Sequence, residues 1–154
     1  MQIREIMKRD FEVIARDMDV RGAAIKMRDT SVTMLPVCDG AMFAGILTDR
    51  DIAIRLAAEG YDATRTLVGE IMTRDLTYCY EDQTIDEAAM VMQFHQIPRL
   101  PILDRTQQLI GIVSLSDFTA CLERSVTPVL SPARETNVET EPMLAATGSP
   151  DSNR

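Results

Sequence analysis

The stretch Glu5-Ile6-Met7-Lys8-Arg9-Asp10 recurs 65 positions later as Glu70-Ile71-Met72-Thr73-Arg74-Asp75. A second match, at a shift of 66, relates Gly45-Ile46-Leu47-Thr48 to Gly111-Ile112-Val113-Ser114. A register that is kept between such distant segments indicates an internal duplication. The sequence therefore predicts two copies of one unit, at residues 1–64 and 65–124.

Each copy has the same order of predicted elements. Apolar residues recur at helical spacing over Val20–Met27 and again over Ile85–Met92, which indicates one amphipathic helix in each copy. Thr84 and Glu87 form a capping box at the start of the second of these helices. Two short apolar runs separated by a turn follow each helix, as is typical of a β-hairpin. The four predicted hairpin strands are Met34–Cys38, Phe43–Leu47, Leu100–Leu103 and Leu109–Val113.

A short strand before each of these helices and a second helix after each hairpin complete the unit as β-α-β-β-α. The short strands are predicted near Val13–Ile14 and Tyr78–Tyr80, and the second helices after Thr48 and Ser114. One such unit has an apolar face to bury and is too small to be stable alone. We therefore expect the two copies to pack sheet to sheet.

The composition is that of a small globular protein. Of 154 residues, 45% are hydrophobic and 26% are charged, so a core can form and full disorder is excluded. A membrane span is not expected, because apolar runs stay far below the roughly 20 residues that cross a bilayer. The net charge of −8 argues against nucleic acid as a partner. Residues 125–154 are predicted to be a flexible, acidic tail rich in Pro, Ser and Thr.

Cysteine and histidine are sparse. Cys38, Cys79 and Cys121 are widely spaced and form no C-x-x-C pair, which is typical of reduced thiols, and the polar N-terminus has no secretory signal. We therefore expect a cytoplasmic protein. His95 follows a predicted helix face, where contact with the last carbonyls is favoured over metal binding. Metal or redox chemistry that joins Cys38 and His95 stays an open alternative.

The strand-to-helix junction is the strongest chemical signal, and it occurs twice. The pattern Gly-x-x-(Thr/Ser)-x-x-Asp contains Thr48 and Asp51 in the first copy and Ser114 and Asp117 in the second. One interpretation is structural, since the hydroxyl caps a helix and the aspartate interacts with its positive end. The other is functional, because N–H groups at a helix N-terminus attract phosphate and a nearby carboxylate can accept both hydroxyls of a ribose. Both interpretations agree with the spacing.

The two copies resemble a pair of cystathionine-β-synthase-type domains, called CBS domains. The resemblance rests on the two junctions, on the openings Ile6-Met7 and Ile71-Met72, and on the strands Leu35-Pro36-Val37 and Leu100-Pro101-Ile102. It covers about residues 1–124. It implies an α+β fold in which two β-α-β-β-α repeats form a pseudo-two-fold pair with two clefts between them. It also implies that the clefts bind AMP, ADP, ATP or S-adenosylmethionine, and that the helices form a homodimer.

The resemblance also implies ligand contacts by position. Thr48 and Ser114 are expected to meet phosphate, and Asp51 and Asp117 to hold ribose. No catalytic residue and no metal ligand is implied.

The two clefts are expected to be chemically unequal. Arg99 is similar to a basic residue that relatives use against phosphate, and Met34 takes its place in the first copy. Arg50 is expected either to replace that charge or to lie in solvent. The residues expected to flank the ligand around adenine are Val13, Met34, Leu35, Pro36, Tyr78, Leu100 and Pro101.

The predicted function is that of a regulatory module which binds an adenine nucleotide and signals to a separate effector protein. An AMP-like ligand is favoured over ATP, because the chain is acidic. No cofactor is required, and no enzyme is expected, since the common catalytic motifs are absent. The alternative is a ligand-free homodimeric scaffold or stress-associated adaptor, in which the junctions serve only as helix caps.

Overall fold

The computed structural model describes residues 1–126. The predicted tail, 125–154, therefore lies outside the described residues, apart from its first two residues, which belong to the last helix, Leu115–Val126. Within the described part, no helix has the length and apolar character that a bilayer crossing requires.

The predicted elements form in both halves. After a single turn of 3-10 helix, Ile3–Glu5, the first half contains β1 (Ile14–Ala15), α1 (Val20–Thr30), β2 (Met34–Asp39), β3 (Met42–Thr48) and α2 (Asp49–Asp51), which continues as a π-helical segment, Ile52–Ala57. A short helix, α3 (Val68–Ile71), leads into the second half. That half contains β4 (Cys79–Tyr80), α4 (Ile85–His95), β5 (Arg99–Leu103), β6 (Leu109–Ser114) and α5 (Leu115–Val126).

Each half builds one three-stranded sheet, β1-β2-β3 or β4-β5-β6. The first strand of each sheet runs parallel to the second, and the hairpin strands are antiparallel. The two registers correspond, since Pro36 pairs with Ile46 and Pro101 pairs with Ile112. The predicted α+β fold with two β-α-β-β-α repeats is confirmed.

The opening segments of the two repeats are exchanged between the halves. Ile3 is buried in the core of the second half, and its N–H donates to the Gln83 carbonyl at 2.9 Å. Val68 is buried in the core of the first half, and its N–H donates to the Met18 carbonyl at 2.8 Å. The packed unit is therefore not the sequence repeat, because each core is completed by the segment that begins the other copy.

Glycine at the start of each junction lets these exchanged segments approach the sheets. The N–H of Ile46 donates to the Thr73 carbonyl at 3.0 Å, and the N–H of Thr73 donates back to Ile46 at 2.8 Å. A Cβ at Gly45 would lie 2.7 Å from the Thr73 oxygen, and one at Gly111 would lie 3.2 Å from the Lys8 oxygen. The glycines of the two repeated patterns thus permit main-chain contact between each sheet and the segment that opens the other copy.

Candidate functional site

A cavity of about 550 Å³ lies between the two halves, and we call it the inter-repeat cavity. Its first-half wall is the start of β2, and its second-half wall is formed by the start of β5 and the β6–α5 junction. The opening segment around Lys8 completes it. The predicted site residues that line it are Met34, Leu35, Pro36, Arg99, Ser114 and Asp117.

The other predicted site residues are Val13, Thr48, Arg50, Asp51, Tyr78, Leu100 and Pro101, and they lie outside this cavity. Leu100 has no exposed surface and belongs to the second core. The Val13 carbonyl accepts a hydrogen bond from Lys26 at 3.2 Å. The ring of Tyr78 packs edge-on against Tyr80, with 5.6 Å between the ring centres.

Met34 and Arg99 occupy equivalent positions in the two repeats, yet both line the inter-repeat cavity. This happens because β2 and β5 both begin at the cavity, one from each half. The positive charge of Arg99 therefore lies in the same cavity as Met34, the residue that takes its place in the first repeat. Arg50, the candidate substitute, is exposed on the first turn of α2.

The first junction is a complete capping box. The N–H of Asp51 donates to Thr48 Oγ1 at 3.1 Å, and the N–H of Thr48 donates to Asp51 Oδ2 at 3.0 Å. The Asp51 residue is only 8% exposed, and the Thr73 hydroxyl donates to both of its carboxylate oxygens at 3.3 Å. Arg55 Nε lies 3.8 Å from Asp51 Oδ1. The structural interpretation of the pattern therefore applies at this junction.

The second junction is bonded differently. Asp117 Oδ2 accepts hydrogen bonds from the N–H of Ser114 at 2.7 Å and from its hydroxyl at 2.6 Å. Asp117 Oδ1 lies 3.0 Å from the Lys8 ammonium. Ser114 Oγ is also 2.8 Å from Ser116 Oγ. The carboxylate that faces the cavity is thus held by one neutral partner and one cation.

The environment of Asp117 acts on its pKa in two directions. Burial raises the pKa, because a charged carboxylate loses water. The hydrogen bonds from Ser114 and the ion pair with Lys8 lower it, and together they outweigh burial, so the pKa lies below its ordinary value. Asp117 is accordingly an ionised acceptor at neutral pH.

Lys8 was not among the predicted site residues. Its only signal in the sequence is the repeat itself, which aligns Lys8 with the uncharged Thr73. Asp10 and Glu12 also line the cavity, and the Glu12 carboxylate pairs with Lys26 at 2.7 Å. Two cations, Lys8 and Arg99, therefore share the cavity with three acidic residues.

The metal or redox alternative for Cys38 and His95 gains no support from the fold. Cys38 lies half-buried in β2, and burial raises the pKa of its thiol. His95 ends α4, with its ring edge-on to Phe94 at 5.0 Å. Among residues 1–126, no group of three or more His, Cys, Asp and Glu side chains is arranged to hold a metal ion.

Comparison with known proteins agrees with this architecture. The CBS domain family model matches residues 3–58 and 68–124. The chain is 35% identical to the CBS domain-containing protein YhcV of Bacillus subtilis over 116 residues, which is 75% of this chain and 81% of YhcV.

Two solved structures extend the comparison to the tertiary level. The structure of Hypoxic Response Protein I with two coordinated zinc ions superposes with a TM-score of 0.71 at 31% identity, covering 78% of this chain and 98% of that one. The CBS domain pair of protein MJ0100, in complex with 5′-methylthioadenosine and S-adenosylmethionine, gives a TM-score of 0.66 at 26% identity, covering 79% of this chain and 99% of that one. The chain therefore belongs to the CBS domain family, of which it contains two domains in tandem.

Proposed function

We propose that this CBS domain pair is a regulatory module that binds an adenosine-type ligand, with AMP favoured, in the inter-repeat cavity. The proposal rests on one observation: the cavity that Ser114 and Asp117 line is also lined by two cations, Lys8 and Arg99. Asp117 offers acceptor oxygens for ribose hydroxyls, and the cations offer donors for a phosphate. The MJ0100 domain pair, which holds two adenosine-containing ligands, supports the same ligand class.

The size and charge of the cavity favour a small nucleotide. A volume of about 550 Å³ lies within the range of about 300–1,000 Å³ that is usual for small-molecule sites. Asp10 and Glu12 add negative charge to the walls. A monophosphate meets less repulsion there than a triphosphate does, so AMP is favoured over ATP.

The proposed output is a change of packing that a separate effector protein detects. Residues of both halves line the cavity, so a ligand that binds one arrangement of the halves better than another shifts the population toward it. The size of the shift is limited by the difference between the two affinities.

We also propose that the chain forms a homodimer through its helices, with the second halves facing each other. Four large apolar side chains are exposed on α4 and α5, where Met90, Phe94, Leu115 and Leu122 are 57–83% exposed. An apolar groove of about 890 Å³ runs between these two helices. Large exposed apolar side chains and an apolar groove on the same two helices are typical of an interaction site.

The orientation follows from the difference between α1 and α4. At a shift of 65 the position of Phe94 is taken by Asp29, which forms an ion pair with Arg28 at 2.9 Å on the surface of α1. Packing α4 of one copy on α1 of another would bury those charges, and this costs free energy. Packing α4 on α4 buries apolar surface on both sides.

Isothermal titration calorimetry with AMP tests the ligand proposal directly. Asp117→Asn keeps an oxygen for the hydrogen bond from Ser114 but removes the charge, and we expect it to weaken AMP binding at least tenfold. Asp51→Asn is the matched control, because Asp51 occupies the same motif position outside the cavity. Equal AMP affinity in Asp117→Asn and the wild type would overturn the proposal.

The ligand-free scaffold is the second candidate, and one observation favours it. Asp51 and Asp117 both have hydrogen-bond partners within the chain, as helix caps require. On this hypothesis AMP, ADP, ATP and S-adenosylmethionine leave the melting temperature unchanged. A ligand that does bind, at a concentration of 100 times its dissociation constant, would instead add about 2.7 kcal/mol to the free energy of unfolding.

A further inference from the structure

We infer that Lys8 makes the inter-repeat cavity selective for adenosine ligands that carry an anionic group, by moving from Asp117 to that group when the ligand binds. The inference rests on the proposed function and adds to it the charge class of the ligand and the residue that selects it.

Lys8 has a hydrogen-bonded main chain and an exposed side chain. Its N–H donates to the Ile112 carbonyl at 2.9 Å, and its carbonyl accepts from the Ile112 N–H at 3.0 Å, so the backbone is held on β6. The side chain is 62% exposed, whereas the Asp117 side chain is only 10% exposed. A four-carbon stem on an anchored backbone can change its acceptor without disturbing the core.

Ribose and Lys8 compete for the same carboxylate oxygen. Asp117 Oδ2 already accepts two hydrogen bonds from Ser114, so Oδ1, 3.0 Å from the Lys8 ammonium, is the oxygen on which a ribose hydroxyl must compete. Once a ribose hydroxyl takes Oδ1, the ammonium loses its ion-pair partner. A phosphate on the ligand supplies a new acceptor, while uncharged adenosine does not. The exchange therefore penalises neutral ligands, and specificity arises from that penalty as much as from attraction.

The other repeat has Thr73 at the position that is equivalent to Lys8. Asp51 is held there by the hydroxyl of Thr73, which carries no charge to be compensated. The cation beside Asp51 is Arg55, whose Nε lies 3.8 Å from Asp51 Oδ1. The Arg55 side chain is also anchored by hydrogen bonds, since its Nη1 donates to the Ile71 and Met72 carbonyls at 3.2 and 3.1 Å. Lys8 thus makes the two halves chemically different at otherwise equivalent positions.

Other charged groups at the cavity also act on an anionic ligand. Arg99 lines the same cavity and is expected to add to the affinity for phosphate. Glu12 is paired with Lys26. Asp10 adds negative charge, which increases the need for a cation close to the phosphate.

The test is a comparison of AMP with adenosine by calorimetry on the full chain. In the wild type we expect AMP to bind at least tenfold more tightly than adenosine. Lys8→Thr copies the residue of the other repeat, and we expect it to remove most of that ratio by weakening AMP while leaving adenosine unchanged or tighter. Lys8→Arg keeps the charge and should keep the ratio. Thr73→Lys, with the charge placed in the other repeat, is the matched control and should not restore the ratio in Lys8→Thr.

The outcomes separate this inference from the function on which it rests. If AMP and adenosine bind the wild type equally, or if Lys8→Thr keeps the AMP preference, the role of Lys8 is wrong and the adenosine site stands. If neither ligand binds the wild type, the proposed function and this inference both fail. The Lys8→Thr variant is expected to fold, since the replaced side chain is mostly exposed, and its melting temperature checks this.

Discussion

The main-chain oxygen of Thr73 lies where a side chain on Gly45 would begin: a Cβ at Gly45 would be 2.7 Å from it. This contact joins a strand of the first sheet to the segment that opens the second repeat. It explains why the repeated pattern starts with glycine, for a reason separate from helix capping and ligand binding.

We expect Gly45→Ala to destabilise the fold by about 1–3 kcal/mol, because the added methyl group meets the Thr73 carbonyl oxygen, which the N–H of Ile46 holds by a hydrogen bond. Gly111→Ala is the matched comparison. The atom nearest to its Cβ is Met7 Sδ at 2.6 Å, which belongs to a flexible side chain, so a smaller loss is expected. Urea unfolding of both variants measures the order. A greater loss for Gly111→Ala would contradict this account.

Stability at low pH should depend on Asp117. Its pKa in the folded state lies below the ordinary value of 3.8, so its contribution is fully present above the unfolded pKa and is lost as pH falls through the folded pKa. Between pH 6 and pH 3 the wild type should therefore lose more unfolding free energy than Asp117→Asn. Denaturant titrations at several pH values check this, and parallel curves for the two proteins would refute it.

The exposed ring of Phe94 should be required for the dimer. Phe94→Asp places a charge in the proposed α4–α4 contact, and we expect monomers at concentrations at which the wild type is dimeric. Met42→Gln is a control, since Met42 is exposed on the β2–β3 hairpin rather than on a helix. Analytical ultracentrifugation gives the result. A wild-type dimer that Phe94→Asp leaves intact would rule out this surface.

The three thiols should react in a fixed order. Burial, with a smaller effect of Glu87, raises the pKa of Cys79 to about 11, and Cys79 and Cys121 are both buried. Cys38 is half-buried, and although burial also raises the pKa of its thiol, it is the most accessible of the three. We expect iodoacetamide at pH 8 to modify Cys38 first, because reaction needs an accessible thiolate. Mass spectrometry of the digested protein measures the order, and similar rates in the unfolded chain provide the control.

Much of the fold could be predicted from local patterns. The helices over α1 and α4, the two hairpins and the Thr84–Glu87 capping box were all predicted, and all are present. Helical and strand periodicities extend over about ten residues or fewer, and a capping box needs only four. Such features depend on residues that are close in sequence and not on where the rest of the chain lies.

The candidate site was predicted less completely. Ser114 and Asp117 were singled out by the junction pattern and do face the inter-repeat cavity. Lys8 was missed, because it precedes the predicted strands and lies 109 positions from its partner Asp117. Leu100 was assigned to the ligand by its place before a proline, and its side chain lies in the second core and not in the cavity lining.

The sequence by itself determined the duplication, the order of elements and the capped junctions, since these depend on spacing within each copy. Only the tertiary structure decided that the opening segments exchange, that Met34 and Arg99 share one cavity, and that Lys8 reaches Asp117. These contacts join residues far apart in the chain. They form because neither copy can bury its apolar face alone, so the two copies pack together. This packing brings side chains into contact that are too far apart in sequence for a local pattern to predict.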